Sequence, residues 1–273
     1  AAVGGRLLAA CGRPLVIAPA RADDHRLPGP SGRWAPFAAQ ARAEVTMTLR
    51  QGEALLVTLG IPVLLLVVLS LSKVLPTGTA RPTTFLAPGI LALSVMSTAM
   101  VSSGIATAFE RRYGVLKRLY ATPLGRPALL GAKITAIGVV EVIQVVVVGA
   151  VAAGLGWRLQ GNVGAAVGAM ILATVAFAGL GMLMAGSLRP ELVLAVANGL
   201  YIVLLLLGGM IFPLTRLPGA LQGVAKGLPA SALSSVLLHS LGAHGGSTLV
   251  SWLVLSSWAV AAPVAAALTF KWE

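Results

Sequence analysis

The sequence predicts an all-α integral membrane protein with six transmembrane helices, an amino-terminal interfacial helix and a re-entrant helical hairpin between spans five and six. Three observations predict it. Of 273 residues, 57% are hydrophobic and only 10% are Asp, Glu, Lys or Arg, with a mean hydropathy of +0.92; a soluble domain carries about 25% charged residues. Six apolar runs reach the length of about 20 residues that a helix needs to cross the hydrocarbon core. The remaining charge is positive and unevenly spread, with 20 Lys and Arg against 8 Asp and Glu.

Residues 1–33 mix Pro, Gly, Asp and Arg without an apolar period and read as a flexible cytoplasmic tail. The chain does not begin with Met, so its natural start is not visible. LLAAC at residues 7–11 has the form of a lipoprotein cleavage site, but the apolar stretch before Cys11 is short and interrupted by Arg6, which makes it a chance match. One cysteine excludes an internal disulfide and gives no basis for a cysteine metal cluster.

Residues 34–53 come next. Within APFAAQARAEVTMTLRQGE, Phe37, Ala41, Val45 and Leu49 recur on one broad arc, while Gln40, Glu44, Thr46 and Arg50 lie mostly elsewhere and Met47 breaks the pattern. A helix lying in the membrane interface and connecting to the first span fits that spacing.

The first two spans, 54–72 and 86–108, contain no charge. The third, 128–155, carries Lys133, Glu141 and Gln144. A charged side chain facing lipid costs about 2.5 to 3.5 kcal/mol on insertion scales, so Glu141 must face another helix, face water or be protonated. Two roles stay open for it, a structural polar pair with Gln144 or a functional site within the membrane. Lys133, near the cytoplasmic end, is expected to snorkel toward the headgroups.

The fourth span, 163–188, has Gly161, Gly164 and Gly168 around its start and Gly179, Gly181 and Gly186 toward its end. Small residues let helices approach closely, and here they read as packing within the subunit rather than between subunits. The fifth, 192–212, contains Asn198, and the sixth, 249–270, contains Pro263. Residues 213–248 are too apolar for a free loop yet broken by Pro213, Pro218 and Pro229. Two helices of about ten residues cannot cross a bilayer. A re-entrant or outer-leaflet hairpin whose turn is sheltered by protein or water is expected.

Orientation follows from Lys and Arg, which are retained on the cytoplasmic side. With both termini in the cytoplasm, fifteen of the twenty fall inside; Lys73, Arg81, Arg158, Arg216 and Lys226 fall outside. The net charge of +12 therefore reads as topology and contact with anionic lipid, not as nucleic-acid binding.

The densest charge lies in FERRYGVLKRLYATPLGRPALLGAK, residues 109–133. On a helical wheel Phe109, Tyr113, Leu116 and Tyr120 share one face, opposite Arg111 and Arg118. An amphipathic cytoplasmic helix over 109–123 is expected, closed by Pro123, which lacks a donor and disfavours helix at Thr122. Composition allows two roles, a topogenic loop resting on headgroups or an element that docks a soluble partner.

This segment resembles the connection between the second and third spans in permease subunits of the ABC transporter type-2 family, the daunorubicin-resistance-like exporters. GGMIFPLTRLP at Gly208–Pro218 is similar to the end of that family's fifth span, and LPASALSSVLL at Leu228–Leu238 to the stretch before its sixth; the closing FKWE also fits. The resemblance runs from about Arg42 to the end. It implies a six-span permease domain over 54–273 in the plasma membrane, paired with a second permease subunit, identical or homologous. It further implies two nucleotide-binding ATPase subunits beneath, which hold ATP and magnesium while this chain binds no cofactor. Residues 109–123 resemble the family's coupling helix, so Phe109, Glu110, Arg111, Arg112, Tyr113, Leu116, Lys117, Arg118 and Tyr120 would meet the ATPase. Glu141, Gln144 and Asn198 are the candidate pathway residues.

No G-x-x-x-x-G-K-[ST] and no H-E-x-x-H occurs. His25, His239 and His244 lack a neighbouring nucleophile or carboxylate that would suit catalysis. The expected function is therefore a non-enzymatic permease subunit of an ATP-driven exporter, carrying an amphipathic substrate such as a drug, lipid or glycolipid. An ion-coupled secondary transporter using Glu141 is the alternative, without visible inverted repeats to support it. An intramembrane enzyme would need a serine and a histidine in facing spans, which the sequence does not offer. Cysteines placed at Val115 and Ser235 in a Cys11-free background should label from opposite sides of intact cells; labelling of both from outside would overturn the six-span topology.

Overall fold

The computed structural model describes residues 34–72, 82–115, 126–159, 161–241 and 248–269. All regular structure among them is helical. Helix α1, Trp34–Arg50, ends one residue before α2, Gly52–Ser72. The second span is a rod of three pieces: α3 at Pro82–Met96, a π-helical segment at Ser97–Ser102, and α4 at Ser103–Arg112. Then come α5, Arg126–Gly154; α6, Val163–Ser187; and α7, Pro190–Leu207. Two short helices, α8 at Gly219–Lys226 and α9 at Pro229–Ser240, precede α10 at Thr248–Thr269. Among the described residues six helices are long and apolar enough to cross a membrane.

Local chemistry sets several ends. Asn162 caps α6 by accepting from the Ala165 amide at 3.1 Å, the short polar side chain serving a donor that has no partner within the helix. Pro190 opens α7 at its first turn, where the missing N–H costs nothing. The fifth span was expected to reach residue 212 but stops at Leu207, because Gly209 adopts a positive φ of 68°. Hydropathy could not register that stop, since GGMIF is apolar whether helical or not.

The second span forms the core. Leu86, Ile90, Leu93, Met96 and Met100 are fully buried, surrounded by α2, α5, α6 and α9. Its closest neighbour is α6, where Gly104 faces Gly181: a Cβ on Gly181 would lie 2.7 Å from the Met100 carbonyl oxygen. Two residues away, a Cβ on Gly179 would lie 2.6 Å from the Pro263 nitrogen of α10. These two glycines thus serve packing within the subunit, as their pattern suggested, each against a different helix. Leu56, Leu64 and Leu71 of α2, Ile202 and Leu206 of α7, and Leu253 and Leu268 of α10 point outward, as side chains bathed by lipid tails would.

Between α7 and α10 the backbone is irregular, and side chains satisfy it. Ser234 donates to the Gly208 carbonyl at 2.6 Å, Ser231 to the Ala225 carbonyl, and Trp258 Nε1 to the Gly227 carbonyl at 2.9 Å. An unpaired carbonyl away from water is costly, so these bonds let α8 and α9 fold back on the bundle. Helix α9 is buried along most of its length, whereas α8 buries only Ala225.

Gly181→Ala should destabilise the protein by about 1 to 3 kcal/mol, the usual cost of forcing atoms into a packed contact. Gly199→Ala, with nothing within 4 Å of the added Cβ, should stay within about 0.5 kcal/mol. Unfolding midpoints in detergent would check both, and equal losses would contradict the crossing.

Candidate functional site

The charged stretch after the second span does not begin a new helix at Phe109. Residues Phe109–Arg112 continue α4, and the break comes at Tyr113 and Gly114, where the Tyr113 amide still bonds the Phe109 carbonyl at 2.9 Å and Gly114 takes a φ of 69°. That left-handed conformation is unstrained only for glycine. Leu116, Lys117, Arg118, Tyr120 and the remainder to Gly125 lie outside the described residues.

Each charge on this last turn has a partner within the chain. Lys133 Nζ sits 2.8 and 2.6 Å from the two carboxylate oxygens of Glu110 and 3.6 Å from Glu44 of α1. Gln40 also donates to Glu44, at 3.1 Å. Lys133 therefore does not snorkel: its side chain is 12% exposed, held between the Glu110 and Glu44 carboxylates. Arg111, placed by the wheel on an outward positive face, turns inward. Its Nη1 and Nη2 donate to the Gly186 and Leu188 carbonyls at 2.5 and 2.6 Å, closing the end of α6 where carbonyls lack intrahelical donors and a positive charge is favoured. Arg112 pairs with Glu191 in the first turn of α7. Both side chains are more than half exposed, so that pair adds about 0 to 1 kcal/mol.

Beside that exposed pair stands an outward aromatic group. Tyr113 is 69% exposed and stacks on Phe109, with ring centroids 6.3 Å apart and planes 23° from parallel. The end of the second span is thereby fastened to α1, α5, α6 and α7, with Tyr113 projecting from the junction.

The three candidate pathway residues do not converge. Glu141 and Gln144, which could have formed a pair, point to different helices. Glu141 Oε2 accepts from Thr174 of α6 at 2.6 Å. Gln144 accepts from Thr98 of the π segment at 3.1 Å and donates to the Thr58 carbonyl of α2 at 3.2 Å. Positions three apart on a helix diverge by about 60°, enough for α5 to serve both neighbours at once. Asn198 is exposed on α7 and donates to its own helix at Leu194, 2.7 Å away. Sequence reasoning missed Thr98 and Thr174, hydroxyls in apolar runs that gave no periodic signal. It also left Glu44 on the polar face of an interfacial helix, although its side chain is 9% exposed.

A cavity of about 190 Å³ lies between α1, α2, the second span and α5, running from Lys133 and Glu110 at the α1 end to Thr98 and Val140 deeper in the bundle. A more open cleft of about 690 Å³, flanked by Arg50 and Glu53, shares Gln51, Thr58 and Ser102 with it.

Comparison with known families places these features in context. The family model described as ABC-2 type transporter matches residues 37–241, from within α1 to the end of α9. A search of curated proteins finds no match.

Thr174→Val should destabilise the protein by about 1 to 3 kcal/mol, because it removes the hydroxyl that serves a buried acceptor. Thr174→Ser should restore most of the loss. In a Glu141→Leu background Thr174→Val should cost less, and a double-mutant cycle on unfolding midpoints measures that coupling.

Proposed function

The chain belongs to the ABC-2 type transporter family, and on that premise we propose that it is the permease subunit of an ATP-driven exporter carrying an amphipathic drug, lipid or glycolipid across the plasma membrane. Energy comes from separate ATPase subunits that hold ATP and magnesium; two permease subunits, identical or homologous, form the pathway, with both termini in the cytoplasm. The observation that carries this proposal is Tyr113, exposed at the end of the second span and stacked on Phe109, while Glu110, Arg111 and Arg112 bond within the chain. Such a junction suits force transmission: a partner pressing on Tyr113 moves a rod already fastened to four helices. An ion-coupled transporter working through Glu141 has less support, since Glu141 bonds Thr174 and neither Gln144 nor Asn198 joins it.

If residues 109–123 dock in an ATPase cleft, apolar contact supplies most of the affinity. Burying an aromatic or leucine side chain is worth about 1.5 to 3 kcal/mol, against about 0 to 1 kcal/mol for an exposed charge pair. Tyr113→Ala with Leu116→Ala should therefore release the ATPase and abolish substrate-stimulated ATP hydrolysis more completely than Lys117→Ala with Arg118→Ala. Arg111 is unsuitable for the charge variant because it closes α6. Unchanged copurification and hydrolysis in the apolar variant, with insertion verified by protease accessibility, would defeat the coupling assignment.

A further inference from the structure

The cavity at the α1 end has an unbalanced wall. Lys133 is the one ammonium between two carboxylates, and it is engaged with Glu110 at 2.6 and 2.8 Å while Glu44 lies 3.6 Å away. Beyond that more distant ammonium, Glu44 gains only a neutral donor, the Gln40 amide. One lysine against two glutamates leaves an excess negative charge where Glu44 and Lys133 are 9% and 12% exposed. A buried charge that lacks full compensation is costly, so such a wall favours a second cation.

A second observation points the same way. Thr107 lines the cavity on a residue 5% exposed, and its hydroxyl has no hydrogen-bond partner among the described residues. A hydroxyl without a protein partner that borders an open space suits a ligand atom. Beyond this polar end the wall becomes apolar, with Leu55, Ile137 and Val140. A cavity of about 150 Å³ holds a benzene molecule, so the 190 Å³ here admits a ring or a few chain carbons. The rest of a longer molecule can leave through the shared opening at Gln51 and Ser102.

We infer that this cavity binds the head and adjoining carbons of an amphiphile with a primary ammonium group, the ammonium meeting Glu44 and the Thr107 hydroxyl and the apolar part lying along α5. A primary ammonium has three donors and a full charge. An alcohol would leave the excess charge uncompensated, and a carboxylate would be repelled by it. Two sources share this chemistry, an amine-headed bilayer lipid and an amphiphilic amine in transit. The inference goes beyond the transport proposal and does not depend on an ATPase.

The test uses the full chain in phosphatidylcholine nanodiscs, with radiolabelled dodecylamine as probe and empty discs as background. Dodecylamine should bind saturably and about tenfold more tightly than dodecanol, with dodecanoate weaker still. Glu44→Gln should weaken it about tenfold. Lys133→Met should instead strengthen it, since the probe then takes both carboxylates, and the amine should restore the unfolding midpoint that this variant loses. A purely structural lysine predicts neither result. Should Glu44→Gln fail to fold, Ser102→Trp, at the opening, should block the probe. Equal binding of amine and alcohol, or weaker amine binding without rescue in Lys133→Met, would overturn the site. Competition by phosphatidylethanolamine in the disc assigns the occupant to the bilayer; stimulated export of the probe without that competition assigns it to traffic, and both outcomes support the site. Because no ATPase is present in the binding assay, its failure would leave the transport proposal standing, and failed ATPase docking would leave the site standing.

Discussion

Everything in this bundle is arranged around the contact between the second and fourth spans at Gly104 and Gly181, where each backbone touches the other. Lipid tails are as apolar as leucine, so helices in a bilayer gain little from burying apolar surface and depend on close packing and satisfied polar groups. The glycine crossing supplies the first. It also brings the end of α4 close enough to α6 for Arg111 to reach the Gly186 and Leu188 carbonyls. A side chain at either glycine would push the rods apart and lengthen those bonds.

The charges at the α1 end follow the same logic. The end of α4 lies there beside the end of α6 and the start of α7, and their orphan N–H and C=O groups need partners. Arg111 serves a carbonyl end, Glu191 sits at an amide end beside Arg112, and Lys133 bridges α1 and the second span. A sequence that looks like a positive loop is thus in part a set of helix terminations.

The number of long apolar helices was legible because hydropathy over about twenty residues measures the thickness of a bilayer. The family resemblance was legible from residues 109–133, 208–218 and 228–238, of which the family match covers all. Polar partners were not. Periodicity says which face a residue occupies on its own helix and nothing about which helix lies opposite, so Glu141 and Gln144 could be taken as a pair although they serve α6 and the second span separately. Arg111 failed similarly: the wheel gave its direction, and α6, which occupies that direction, was invisible. The stop after Leu207 was hidden by apolar residues that are not helical.

The π segment in the second span also escaped the sequence, since its composition, STAMVS, is unremarkable for a membrane helix. There the Ser103 amide reaches back to the Thr98 carbonyl, five residues earlier, so the turn is wider and accommodates an additional residue. One residue corresponds to about 100° of helical phase. The two halves of the rod are therefore out of step: α3 presents its faces to α2, α5 and α9, while α4 is rotated so that Gly104 meets α6 and Glu110 meets Lys133. With a regular helix in its place, no single rotation of the rod would satisfy both sets of neighbours. The widened turn works as a spacer in angle rather than in length, letting the two ends of one helix be fitted independently.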